Sequence, residues 1–341
     1  VPAYSKGMQT PLPSLAELTE SAHVVSLPMR VKFRGVTERE TLILRGPAGW
    51  AEFGPFPEYD DGEASRWLSA AVEAGWQGFP QPLRNSVPVN ATVPAVDAGR
   101  VPEVLSGFDG IPAVKVKVAE PGQELADDIA RVRAVREVLP EAAVRVDANG
   151  GWSVEEALEA LPALAEFGLE YAEQPVMTID GLAQVRAELR RRGVPVLIAA
   201  DESVRKETDP LLVSRSGAAD LIVVKVAPLG GVRRALDIVA SAGLPAVVSS
   251  ALDSSVGIRA GVALAAALPE LPYACGLGTV SLMNGDVTED SLKPAGGAIE
   301  VRDVSVKPEL LERYAASAER VDWWLERLAR VHKVLSSSNT V

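Results

Sequence analysis

A chain of 341 residues, 47% hydrophobic and 23% charged, is too long for one small core and has the make-up of a globular protein with two domains or one large barrel plus an addition. Its formal net charge of -12 opposes nucleic-acid phosphates and anionic lipid headgroups, so neither nucleic acid nor membrane is an expected partner. A single cysteine, Cys275, excludes an internal disulfide; with no signal-peptide order at the start and no apolar run longer than "AGVALAAALP", the expected setting is the cytoplasm.

Residues 22 to 59 read as β structure, with "HVVSLPMRVKFRG" and "ETLILRG" as strands and "GWAEFGPFPEY" following with Gly and Pro turns. Residues 64 to 76 place Trp67, Leu68, Ala71, Val72 and Trp76 on one helical stripe, which predicts a core-facing helix. The texture then changes to short apolar runs alternating with helical patterns. Strand candidates lie at 89–96, 113–118, 143–148, 169–175, 194–201, 220–226, 245–251 and 272–278.

Between them, Leu125, Ile129, Val132, Val135 and Leu139 recur at helical spacing. Ser153 and Glu156 form a candidate capping box, and Pro162 is expected to kink or divide the helix they open. "LRRRG" at 189–193 reads as a solvated helix end. Alternating strands and helices predict parallel βα units, and eight of them close a barrel or lie in an open sheet. No glycine-rich "GxGxxG" follows the first strand, which favours the barrel. Residues 300 to 335 add helix expected to pack back on the first domain, and "SSSNTV" reads as an unstructured tail.

In a parallel barrel, chemistry sits at the C-terminal ends of the strands. Five consecutive candidates carry a charge there: Lys117, Asp147, Glu173, Asp201 and Lys225, separated by 30, 26, 28 and 24 residues, about one βα unit each. A lone charge at a strand end commonly marks the exit to solvent. Five in succession place three carboxylates between two lysines. Buried carboxylates repel unless a cation compensates them, and an all-oxygen set suits a hard ion such as Mg²⁺. Zinc is disfavoured because His23 and His332 lie outside the barrel repeats and Cys275, itself read as a core residue, is alone.

This arrangement predicts removal of a proton next to a substrate carboxylate, with Mg²⁺ stabilising the enediolate and a lysine of lowered pKa acting as base. Lys115 shares a side of its strand with Lys117 and can tune it; a purely structural role for the pair, neutralising the carboxylates, is the competing reading.

In this order "KVK", "DANGGW", "EQP", "DES" and "VVKVAPLGG" resemble the enolase superfamily, muconate-lactonizing subgroup, for which a lysine base with Mg²⁺ is already an established pattern. The resemblance spans nearly the whole chain. It implies an α/β fold: an enolase-type (β/α)7β modified TIM barrel over 89–299, an N-terminal α+β capping domain over 1–88, and a C-terminal segment, 300–341, that returns to the cap and ends in a disordered tail. Within the subgroup, "MRVKFRG", "WAEFGPF" and "VPVNATVPAV" are most similar to the o-succinylbenzoate synthase family. That implies a small-molecule carboxylate substrate and syn dehydration of 2-succinyl-6-hydroxy-2,4-cyclohexadiene-1-carboxylate in menaquinone biosynthesis.

Carried over residue by residue, Lys117 is the proton-transfer group and Lys225 the cation opposite it. Asp147, Glu173 and Asp201 hold Mg²⁺, with Mn²⁺ as a substitute. Glu202 is the rival third ligand, but the first acid of "DES" binds metal in family members, so Glu202 is expected to support the lysines. Asn149 and Arg145 are expected behind the ligands, and Ser250 at the succinyl carboxylate. The first two loops named above are expected to close over the pocket. A racemase of N-succinylamino acids or an epimerase of dipeptides would use the same lysines, although the eighth strand lacks the "DxD" of dipeptide epimerases. A non-catalytic, metal-stabilised barrel leaves Lys117 and Lys225 without a task.

Overall fold

The computed structural model describes residues 11–33, 35–205 and 211–338. The chain begins with a short helix, Leu15–Glu20, whose first turn is closed by a capping box between Ser14 and Glu17. An antiparallel meander follows: β1 (His23–Phe33), β2 (Val36–Gly46) and β3 (Gly49–Phe53). The next helix, Asp61–Val72, starts three residues earlier than its apolar stripe, because the Asp60 carboxylate accepts the Glu63 N–H at 2.7 Å. Its Trp67 is buried, as the stripe predicts, with its ring against those of Phe56 and Tyr59.

β4 (Ser86–Pro88) leads into a sheet of parallel strands: β5 (Asn90–Val93), β6 (Ala113–Lys117), β7 (Ala143–Asp147), β8 (Leu169–Glu173), β9 (Leu197–Ala200), β10 (Leu221–Val224) and β11 (Ala246–Val248). Among the described residues, the eighth expected strand is reduced to two bridges. Cys275 pairs with Val89 and Gly276 with Ser249, both parallel, joining the two edges of the sheet. Gly276 lies so close to the seventh stave that a Cβ there would stand 2.6 Å from Ser249 Oγ, and a second glycine, Gly278, opens a 3₁₀ turn two residues later. The segment therefore closes the barrel without forming a ladder. Cys275 is buried, and burial pushes its thiol up to about 12, as befits a core residue.

Pro162 does not divide its helix, which runs unbroken over Val154–Ala165. Proline removes the N–H that would bond the Leu158 carbonyl. The Arg192 guanidinium donates to that carbonyl instead, at 3.1 Å. Arg190 and Arg191, from the same basic run, are solvated as expected.

After the barrel, β12 (Ala298–Glu300) pairs antiparallel with β4, and the helix Ala318–Ser338 returns to the first layer. Trp324 is fully buried there, edge-on to Phe53 at 6.0 Å, with its indole N–H donating to Glu40 at 3.0 Å. Arg327 donates to the carbonyls of Phe56 and Tyr59. The helix also takes in the first part of the segment read as an unstructured tail. Ser336 and Ser337 bond back to the carbonyls of His332 and Lys333, which carries the turn onward, while residues 339–341 lie outside the described residues.

Among the described residues, no helix is long and apolar enough to cross a membrane. Trp324→Ala is expected to destabilise the fold by about 3–5 kcal/mol through loss of packing and of the Glu40 hydrogen bond. A urea or thermal unfolding midpoint unchanged from the wild type would contradict this packing of the C-terminal helix.

Candidate active site

Alternate residues of a strand face one side, so Lys115 and Lys117 both point into the barrel. Register then stacks the interior in layers. Lys117 pairs with Asp147 and Asp147 with Glu173 in one layer, while Lys115, Arg145 and Tyr171 occupy the layer beneath. Asp201 and Lys225 directly follow the last residues of β9 and β10. The sequence thus brings Lys117, Asp147, Glu173, Asp201 and Lys225 to one end of the barrel.

The acidic groups are buried, and each is met by an ammonium. Lys115 Nζ lies 3.0 Å from both oxygens of Glu173 and 3.1 Å from Asp147 Oδ2. Lys117 donates to the same Asp147 oxygen at 2.5 Å and to Asn149 Oδ1 at 2.7 Å. Lys225 pairs with Asp201 Oδ2. Burial by itself would raise Asp147, but Lys117 and Lys115 hold its carboxyl well below the usual range. Glu173 is pushed up to about 7 by burial and by the neighbouring Asp147 charge. Lys115 is opposed by burial, yet Glu173 and Asp147 hold its ammonium above the ordinary lysine value.

Lys115 is therefore the counter-charge of two carboxylates. Its contacts are with Glu173 and Asp147, and it shares the Asp147 Oδ2 oxygen with Lys117.

Among the described residues, no three acidic side chains surround one point closely enough to enclose a metal ion as they stand. The donor chemistry nevertheless suits one. Among the described residues, Asp201 Oδ1 is buried and accepts no hydrogen bond, with Arg205 Nε 3.7 Å away, and Glu202 Oε2 is likewise buried without a partner. Bare carboxylate oxygens beside two further carboxylates are ligands for a hard divalent cation. Each of the two acids has one oxygen engaged, Glu202 Oε1 by Asn149 and Arg205 and Asp201 Oδ2 by Lys225, and one to spare.

Asn149 accepts from Lys117 and links it to Glu202. Arg145, expected behind the ligands, pairs in register with Lys115. It lies in the lower layer, donating to Glu170 at 2.6 Å and to the Ala274 carbonyl at 2.6 Å, with its guanidinium 4.8 Å from the Tyr171 ring centre. Two residues earlier on a strand is the same face but one layer deeper, which strand-end reasoning did not separate. Ser250 borders the cleft, and its hydroxyl is engaged by the Gly276 carbonyl at 3.0 Å and by Thr279 at 2.7 Å.

The cleft is walled by Phe56, Tyr59 and Trp67 from the first layer, together with Leu252 and Pro228. Phe56 belongs to "WAEFGPF", one of the two loops expected over the pocket. The other, "MRVKFRG", reaches the barrel through Arg30, which donates to the Met283 carbonyl; its Arg34 lies outside the described residues.

Gln174 of "EQP" also went unread from sequence. Its amide oxygen accepts the N–H groups of Asp201 and Ser203, fixing the end of β9 against that of β8. Among the described residues, the non-glycine positions with positive φ are Ala119, Asn149, Gln174 and Leu252, and every one follows a barrel strand at this end. Backbone strain concentrated around one cleft is a mark of a functional site.

Over residues 104–308 the chain matches the family model described as Enolase C-terminal domain-like, and over 24–75 the one described as Enolase N-terminal domain-like. It is 55% identical to the o-succinylbenzoate synthase of Mycolicibacterium smegmatis over 329 residues, 96% of this chain and 100% of that protein. To the o-succinylbenzoate synthase of Mycobacterium leprae it is 54% identical over 325 residues, 95% of each chain. In fold it is similar to the muconate lactonizing enzyme from Pseudomonas fluorescens, with a TM-score of 0.73 at 20% identity over 87% of this chain and 98% of that one. With both halves of the enolase architecture present and more than half the residues shared along nearly the full length, the chain belongs to the o-succinylbenzoate synthase family of the enolase superfamily.

Proposed function

We propose that this protein is a Mg²⁺-dependent o-succinylbenzoate synthase that dehydrates 2-succinyl-6-hydroxy-2,4-cyclohexadiene-1-carboxylate in menaquinone biosynthesis. The observation that carries the reading is the run of three buried carboxylates between Lys117 and Lys225 at the mouth of the barrel. The names of the curated relatives support it, and enolase-superfamily enzymes generally use Mg²⁺.

Asp147, Glu173 and Asp201 would hold the ion, which would supply positive charge at the substrate carboxylate. The aromatic wall of Phe56, Tyr59 and Trp67 packs the ring and keeps water from it. Lys117, neutral once its ion pair with Asp147 is exchanged, takes the proton from the carbon bearing the carboxylate. Lys225 stays protonated on the opposite side and stabilises the delocalised charge. Lys117 then returns its proton to the departing hydroxyl on the same face. Water leaves, and the electron pair of the broken C–H bond completes the aromatic ring.

Lys117→Ala is expected to abolish dehydration, and Lys225→Ala to lower kcat by about 10²–10³-fold, as removal of an electrostatic stabiliser does. Purified protein is assayed with Mg²⁺ on the cyclohexadiene and, in parallel, on N-succinylamino acids. Dehydration surviving both substitutions would sink the mechanism, and racemization far exceeding dehydration would sink the assignment.

Lys115→Met leaves two buried carboxylates without their shared cation and is expected to cost about 3–5 kcal/mol in metal-free buffer. Added Mg²⁺ then recovers more stability in the variant than in the wild type. Thermal denaturation with and without Mg²⁺ reads this directly; a variant as stable as the wild type, or one blind to Mg²⁺, contradicts the ligand set.

A further inference from the structure

The first layer docks on three successive strand-to-helix loops. Glu52 accepts the backbone N–H groups of Ser254 and Gly257, each at 3.1 Å, at the start of the helix Ser255–Ala267 that follows β11. Glu73 does the same for Val232 and Arg233, where the helix Val232–Ala242 follows β10. After β9 the contact differs in kind, since it is made with a buried side chain, Arg205.

Tyr59 Oη accepts from Arg205 Nη1 at 2.9 Å, and Arg66 Nη1 donates to the Arg205 carbonyl at 3.1 Å. From Arg205 a line of hydrogen bonds runs inward. Arg205 Nη2 donates to Glu202 Oε1 at 2.9 Å, Asn149 Nδ2 donates to the same oxygen at 3.2 Å, and Asn149 Oδ1 receives Lys117 Nζ at 2.7 Å. The side chains of Arg205 and Glu202 are only 5% and 3% exposed, so water competes little for these bonds.

We propose that Arg205 is a positioning residue that couples seating of the capping layer to placement of the Lys117 ammonium, acting through Glu202 and Asn149. The inference rests on the reading of Lys117 as the proton-transfer group.

The link between Arg205 and Lys117 is the Asn149 amide. A carboxamide offers an acceptor at one end and donors at the other, and only the acceptor end attracts an ammonium. Which end faces Lys117 is decided by the partner of the opposite end. That partner is Glu202 Oε1, and Arg205 fixes its position and balances its buried charge. Without Arg205, Glu202 is an uncompensated buried carboxylate free to turn, and the amide can rotate its NH₂ toward Lys117. A lysine head on four rotatable bonds then loses one of the acceptors that place it. Displacing a reacting group by about 1 Å costs about a hundredfold in rate.

Tyr59→Phe keeps the ring in the cleft wall and leaves Arg205 Nε beside Asp201, so it cuts the line at its outer end alone. It is expected to lower kcat about tenfold, as for loss of a hydrogen bond to a charged group, with KM changed by less than about twofold. Arg205→Met is expected to lower kcat about a hundredfold. Adding Tyr59→Phe to Arg205→Met is expected to change kcat no further. Effects that multiply in the double variant, or losses confined to KM, overturn the proposal.

Arg205→Lys restores the charge and part of the activity if Arg205→Met does not fold; no rescue by lysine overturns the proposal. Crystal structures separate this inference from the functional reading. Lys117 is expected to leave Asn149 by at least about 1 Å in Arg205→Met or, should that variant not fold, in Tyr59→Phe. An unmoved Lys117–Asn149 contact overturns the relay whatever reaction is catalysed, whereas dehydration by Lys117→Ala overturns the functional reading alone.

Discussion

The structure depends on compensating negative charge in a place without water. Asp147, Glu173 and Asp201 are each about 1% exposed, and isolated carboxylates at such depth would take up protons or unfold the protein. Lys115, Lys117 and Lys225 prevent this by bridging them. The residual imbalance is legible in Glu173, which is still pushed up to about 7. Under the proposed function, a divalent ion would take over the carboxylates and leave the same lysines to the substrate.

Parallel register is what delivers these groups to one point. Lys117, Asp147 and Glu173 are neighbours because β6, β7 and β8 run in step, and the Gln174 amide extends that order to Asp201. The capping layer then closes the cleft with an aromatic wall and is itself pinned by Glu52, Glu73 and Arg66 to the loops that carry the site. The wall of the cleft and the loops that carry the site therefore belong to one docked interface.

Much of this was readable from sequence because βα units have a characteristic length, so a charge recurring at the end of successive strands projects onto one face. The interior layer of Arg145 was not readable, since a strand assigns a side but not a depth. The closing segment at Cys275 and Gly276 looked like a full strand by composition, yet two glycines and close contact with Ser249 limit it to bridges. Pro162 leaves its helix undivided, and the carbonyl it frees is met by Arg192, 30 residues away in sequence. Arg205 stood in view, one helical turn after Asp201, but its meaning comes from Tyr59 and Asn149, which only the fold places beside it.

Whether the carboxylates serve a metal and the lysines the substrate is decided by a crystal structure of the protein with Mg²⁺ and o-succinylbenzoate. One ion bound by Asp147, Glu173 and Asp201 is expected, with Lys117 and Lys225 on opposite faces of the product ring. An ion bound elsewhere, or lysines that remain on the carboxylates with the product outside the cleft, would contradict these roles.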